Sequence, residues 1–220
     1  MHNVIDNLNF IQNEIKIKIK KLNLSNYSPK IIAVSKTFPM KDIIPLINNG
    51  HIHFGENKIQ EAVEKWTDIK NEFLNIKLHM LGKLQTNKVK FAVKLFDYIH
   101  SVDNLKLAKK ISEEQKKLNK KIKIFIQINI GNETQKSGVD ISNASELLLS
   151  CKKLGLDVIG IMCLPPNDGQ SDIYFSKMIK INKILGLNET SMGMSSDYIN
   201  AVNFQATYLR IGSKIFGERN

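Results

Sequence analysis

The sequence predicts an α/β protein, a single (β/α)8 TIM barrel with an extra N-terminal helix, and three observations point there. Eight short apolar runs alternate with stretches of helical period along the chain. Such alternation implies parallel strands, because each crossover must return the chain to the same end of the sheet. No G-x-G-x-x-G follows the first run, which weighs against a doubly wound dinucleotide-binding sheet. No composition shift or long linker divides the 220 residues, which are 42% hydrophobic and 24% charged, so one domain is expected over 1–220, near the lower end of barrel size.

The first element in chain order is an amphipathic helix over residues 1–22, where Val4, Leu8, Ile11, Ile15, Ile19 and Leu22 recur at helical spacing. It is expected to cover the barrel. A loop rich in Asn, Ser and Pro follows over 23–29. Strands are predicted at 31–34, 51–54, 76–80, 98–102, 122–130, 158–163, 191–194 and 208–211. Between them, helical patterns are carried by Ile59, Ala62 and Trp66, by Val89, Ala92 and Val93, by Ala144, Leu147 and Cys151, and by Tyr174, Met178 and Ile181. Further helices fit 42–48, 103–118 and 196–204.

The formal charge is +11, from 32 basic and 21 acidic residues, and such a balance points first to nucleic acid or an anionic membrane. All but two of the basic residues are lysines, however, the exceptions being Arg210 and Arg219. Surfaces that grip phosphates or read bases use arginine heavily, because its planar fork bonds bidentately and stacks. The charge therefore reads as a solvated lysine surface, with neither nucleic acid nor membrane as a partner. Cys151 and Cys163 stand in apolar stretches with no C-x-x-C and no histidine at ligand spacing. They read as buried side chains in a reducing compartment, and no metal site is expected. Asp6 and Glu14 interrupt any signal-peptide pattern, and a cytoplasmic location is expected.

In a barrel of this kind, chemistry sits where the strands run out into the following loops. Those positions hold Ser35-Lys36-Thr37, Gly55-Glu56-Asn57, Gly82 beyond His79, Asn129, Gly193-Met194-Ser195-Ser196 and Arg210-Ile211-Gly212-Ser213. The loops after the seventh and eighth strands commonly bind a phosphate through backbone N–H groups, and both here are small and glycine-bearing. Asp197 would repel a phosphate unless it points away, so a plain turn with a cap stays open for these loops. Arg210 is an arginine where the chain otherwise uses lysine, which suggests a role lysine cannot fill; a buried ion pair, with Glu56 for example, is the alternative. Barrel closure sets the eighth strand beside the first, so Lys36 would face Arg210, Gly212 and Ser213 across one pocket. A lysine desolvated beside a cation holds its proton less tightly, and the neutral amine attacks aldehydes to form a Schiff base. The plainer reading of Lys36 is a strand-end side chain reaching for solvent.

The motifs Ala33-Val34-Ser35-Lys36-Thr37, His53-Phe54-Gly55-Glu56-Asn57, His79-Met80-Leu81-Gly82 with Leu84-Gln85-Thr86-Asn87-Lys88, and Ser101-Val102-Asp103 occur in that order. Gln127-Ile128-Asn129, Lys136-Ser137-Gly138, Gly160-Ile161-Met162, Ser191 to Ser195 and Arg210 to Gly217 continue it. Together they resemble the YggS/PROSC family of pyridoxal phosphate homeostasis proteins over nearly the whole chain. The resemblance implies a barrel like the N-terminal domain of alanine racemase, a fold-type III binder of pyridoxal 5′-phosphate. It makes Lys36 the Schiff-base lysine, sets Ser195, Gly212 and Ser213 at the phosphate, and sets Arg210 near the pyridine nitrogen. Asn57 is expected beside the ring and His79 at its face, with a helix-start amide and a hydrogen-bonded core histidine as the plain alternatives. Lys136 reads as a loop lysine within reach of a ligand. The segment Asn203-Phe204-Gln205-Ala206-Thr207 departs from the family, which has a glycine-bearing turn there.

The racemase that shares this barrel also carries a second, all-β domain, and its partner subunit supplies a tyrosine opposite the lysine; nothing in this chain could encode that domain. With one candidate base and no opposing acid, two-sided proton transfer lacks a participant. The resemblance therefore implies a carrier that buffers or delivers pyridoxal 5′-phosphate, with apo-enzymes that depend on the cofactor as recipients and a monomer as the default state. An amino-acid racemase or lyase of the same fold is the alternative.

Overall fold

The computed structural model describes residues 3–133 and 137–218. Eight parallel strands close a barrel in chain order: β1 (Lys30–Val34), β2 (His53–Glu56), β3 (Lys77–Met80), β4 (Tyr98–Val102), β5 (Lys123–Ile128), β6 (Asp157–Cys163), β7 (Glu189–Ser191) and β8 (Tyr208–Ile211). Closure comes from β1 pairing with β8, which sets Ile32 opposite Arg210 and Ala33 opposite Ile211. The (β/α)8 barrel expected from the alternating pattern is the architecture found.

The helices alternate with the strands as α1 (Val4–Lys21), α2 (Met40–Asn48), α3 (Ile59–Glu72), α4 (Val89–Leu95), α5 (Leu105–Leu118), α6 (Ala144–Lys153), α7 (Ser171–Ile184), α8 (Tyr198–Asn203) and α9 (Ser213–Phe216). The additional helix α1 starts at an Asn3 cap, whose side-chain oxygen accepts from the Ile5 and Asp6 amides. Its apolar stripe, Val4, Leu8, Ile11 and Ile15, is buried, each side chain adding about 2 kcal/mol of apolar transfer. The helix packs against α2, α8 and α9, across the seam where β8 meets β1. Asn7 donates to the Ile215 carbonyl (2.9 Å), and Tyr198 donates a very short hydrogen bond to Glu14.

Three strands depart from expectation by two residues or more. β2 begins at His53 and runs through Glu56, so Glu56 is a buried strand residue rather than a loop carboxylate. β5 stops at Ile128, short of residue 130. β7 ends at Ser191 instead of starting there, because Gly193 has φ +86° and turns the chain out of the sheet. A side chain at Gly193 would run into the Ala201 methyl group at 2.6 Å, so both conformation and space demand glycine.

The interior of the barrel departs from the branched aliphatic filling common to the fold. Ile32, Val34, Leu81, Tyr98, Phe125, Met162 and Tyr208 form one buried cluster. Three imidazoles lie among them: the Tyr208 ring stands within 5.6–6.2 Å of His53, His79 and His100. His79 stacks on Tyr98 and His100 on Phe125, each pair with ring centroids 4.2 Å apart. A larger apolar cluster, mostly aliphatic but including Phe54, Trp66, Phe96 and Phe175, fills the space between strands and helices.

Candidate functional site

A cleft of about 750 Å³ opens at the carboxyl ends of the strands. Lys36, Asn57, Ser195, Arg210, Gly212 and Ser213, all six residues marked in the sequence, line it together. Val34, Leu81, Leu164 and Met194 supply apolar wall, and Gly82, Lys83, Gln127, Ser137 and Ser196 complete it. Gly82 is needed for closeness, since a Cβ there would overlap the Asn57 backbone carbonyl. Among the described lining residues, the groups that change charge are Lys36, Lys83 and Arg210, all cations; no carboxylate, tyrosine or imidazole faces the cleft.

Lys36 sits on the turn that leaves β1, where Thr37 has φ +70°, an uncommon conformation for a β-branched residue. The strain persists because α3 over-determines the turn. Glu61 accepts from the Thr37 amide (2.5 Å), and the Lys65 ammonium donates to the Ser35 (2.9 Å) and Phe38 (3.2 Å) carbonyls. Lys65 also pairs with Glu61 at 2.9 Å and with Glu56 at 2.8 Å. Glu56 is fully buried, and the same oxygen accepts from Ser35 (2.8 Å) and Trp66 (2.9 Å). Burial pushes its carboxyl pKa up, against the opposing pull of Lys65.

Arg210 is held differently. It is 4% exposed, and one of its terminal nitrogens donates to Ser191 Oγ and the other to the Cys163 carbonyl, both at 2.7 Å. The ion pair with Glu56 raised as an alternative is not formed, since Glu56 is engaged across the barrel wall with Lys65. Burial lowers the guanidinium's pKa, though arginine stays cationic in proteins. Cys163 and Cys151 are free thiols, and burial pushes them up to about 12 and about 11.

The two glycine-bearing loops are tied together by Ser195, whose hydroxyl accepts from the Gly212 (3.2 Å) and Lys214 (3.4 Å) amides. Asp197 turns back to accept from the Met194 amide (2.6 Å), so its carboxylate serves the turn. α8 starts two residues later than the sequence suggests, at Tyr198.

His79 is a hydrogen-bonded core histidine, the plainer of its two expectations. It is fully buried below the cleft, bonded to His53 and His100. Lys136 lies outside the described residues. The sequence reading also missed Gln127 as cleft lining, although a lone amide in the run Lys-Ile-Phe-Ile-Gln-Ile of β5 is a visible signal. His100 and Ser191 were missed as well; each stands in an apolar strand where a polar side chain needs an internal partner.

The chain matches the family model described as alanine racemase, N-terminal domain, over residues 11–220. A Haemophilus influenzae protein named pyridoxal phosphate homeostasis protein is 33% identical, across 99% of this chain and 97% of its own. Among solved structures, PipY of Synechococcus elongatus is 32% identical and covers 92% of this chain and all of its own. It superposes with TM-scores of 0.81 without PLP and 0.78 with PLP bound. Alanine racemase of Clostridium difficile shares the fold at 18% identity and TM-score 0.73, with this chain matching 57% of that longer one.

Proposed function

This chain belongs to the family of pyridoxal phosphate homeostasis proteins, built on the alanine racemase N-terminal domain, and from that premise we propose that it binds pyridoxal 5′-phosphate for intracellular vitamin B6 homeostasis. The cleft suits that group: an amine, a buried guanidinium, and the amides and hydroxyls of two small loops converge on a space of ordinary ligand size. When bound, the cofactor would supply an aldehyde, and the Lys36 amine would hold it covalently. Ser195, Gly212 and Ser213 would hold the phosphate, Asn57 would flank the ring, and Arg210 would serve the ring nitrogen as a donor that does not surrender its proton.

The protein buffers or delivers the cofactor rather than turning over a substrate. The observation that carries this reading is the set of titratable groups on the cleft wall: among the described lining residues these are Lys36, Lys83 and Arg210, all cations, whereas two-sided proton transfer needs an acid as well as a base. It acts as a monomer in the cytoplasm, with cofactor-dependent apo-enzymes as recipients.

The test is the visible spectrum of cofactor-loaded protein before and after borohydride reduction, for wild type and Lys36→Ala. Covalent trapping is expected in the wild type and absent in the variant; trapping that persists in Lys36→Ala removes the assignment. Incubation with single amino acids is expected to leave their optical rotation unchanged and release no carbon dioxide. A change in either would establish a racemase or lyase instead.

A further inference from the structure

The three histidines inside the barrel are joined ring to ring. His53 Nδ1 lies 2.9 Å from His79 Nε2, His79 Nδ1 lies 2.9 Å from His100 Nε2, and His100 Nδ1 lies 2.9 Å from Ser191 Oγ. Ser191 Oγ in turn accepts from Arg210. The row therefore runs from the amino end of the barrel, where His53 opens β2, to the guanidinium under the cleft. Contacts of this length are hydrogen bonds that leave no room for an ion between the nitrogens. Among the described residues, no group of three such side chains could hold a metal.

We propose that Ser191, His100, His79 and His53 form one directional hydrogen-bond chain that positions Arg210, with each imidazole held as the neutral Nε2–H tautomer. The direction follows from Arg210, which can only donate. Ser191 accepts from it, and among the described residues the other partner of this fully buried hydroxyl is His100 Nδ1, so the serine proton goes there. His100 must then carry its proton on Nε2 and give it to His79 Nδ1. His79 does the same toward His53 Nδ1, which leaves the last Nε2–H on a residue lining a second cavity of about 460 Å³.

Burial keeps the rings neutral: it lowers His79 and His100 well below 6.5, and the Arg210 charge adds to the effect at His100. Stacking on Tyr98 and Phe125 fixes two of the ring planes, so the chain cannot re-aim cheaply. The effect at Arg210 is to present a serine lone pair, rather than a competing proton, to its terminal nitrogen. Ser191 and the three histidines are positioning residues, since none of the four lines the cleft.

The use of this chain at the cleft rests on the cofactor reading above, and the experiment separates the two. Imidazole nitrogen-15 spectra of the cofactor-free protein at pH 7 are expected to show His79 and His100 as neutral Nε2–H rings. An Nδ1–H or cationic pattern at either overturns the chain, whatever the cleft binds. Ser191→Ala strands the guanidinium's donor, and the dissociation constant for pyridoxal 5′-phosphate is expected to rise about tenfold with a displaced absorption maximum. Ser191→Thr, which keeps the hydroxyl, is expected to restore both. An unchanged constant and spectrum in Ser191→Ala, with trapping at Lys36 intact, overturns the positioning role. Loss of cofactor binding in the wild type itself would overturn the cofactor reading and leave the tautomers to decide the chain.

Discussion

The cleft's two principal cations, Lys36 and Arg210, are fixed by opposite means. Lys36 stands on a strained rim turn, clamped from outside by the charged side chains of α3, with a buried carboxylate behind the clamp. Arg210 lies in the floor, within a strand, and donates to a serine hydroxyl and a backbone carbonyl, with neutral imidazoles beyond the serine. A turn has no register, so ion pairs must supply its precision. A strand residue inherits its position from the sheet, and neutral acceptors suffice to orient it. The rim should accordingly fail when a charge is removed, and the floor when charge is added.

The largest expected effect is at the rim. Lys65→Met leaves the Glu56 carboxylate buried without its cation, and urea denaturation is expected to show a loss of about 3–5 kcal/mol. Glu56→Gln combined with Lys65→Met should recover most of that loss. If the single variant is as stable as wild type, the clamp is ornamental and the contrast between the two regions fails.

The floor answers to pH. In the unfolded chain each imidazole takes up a proton near 6.5, whereas the folded protein lowers His53 to about 4 and holds His79 and His100 well below 6.5. Between those values the unfolded state binds more protons, so the stability these rings contribute is full above 6.5 and falls as pH drops toward 4. The slope is about 1.4 kcal/mol per pH unit for each fully buried ring. Glu56 and Asp197, whose carboxyls burial raises, oppose it over a range beginning near their ordinary values. Melting temperatures from pH 8 to 5 should therefore decline once pH passes below 6.5; a flat profile would mean that the rings are not buried neutral.

The smallest effect lies in neither region and serves as a control. Gln205, in the segment without the glycine expected there, has φ +53°. It ends α8 as the left-handed residue of a Schellman turn, with Ala206 donating to the Ala201 carbonyl and Gln205 to that of Val202. Gln205→Gly is expected to stabilise the fold by about 1 kcal/mol, seen as a raised melting temperature, with cofactor affinity unchanged.

Much of this was legible in the sequence. Periodicity located every strand and every helix but α9 to within a few residues, and closure of eight units in order set the turn after β1, with Lys36, beside the strand that carries Arg210. The boundaries that moved did so for reasons beyond local pattern. Gly193 reads as a strand residue until the Ala201 methyl packs against it, and Glu56 reads as a loop carboxylate until Lys65 and Trp66 bury it. The imidazole row was illegible because its members come from β2, β3 and β4, and the bonds between them depend on the stagger of the barrel.

The sequence by itself determined the order of elements, the closed parallel sheet and the gathering of Lys36, Asn57, Ser195, Arg210, Gly212 and Ser213 at one end. Alternation and strand order are properties of the chain read in one dimension. Only the tertiary structure decided what holds those residues: the α3 clamp on a strained turn, the neutral chain under the guanidinium, and the descent of His79 into the core. Those depend on which side chains meet across strands and helices, and on how far each is removed from water.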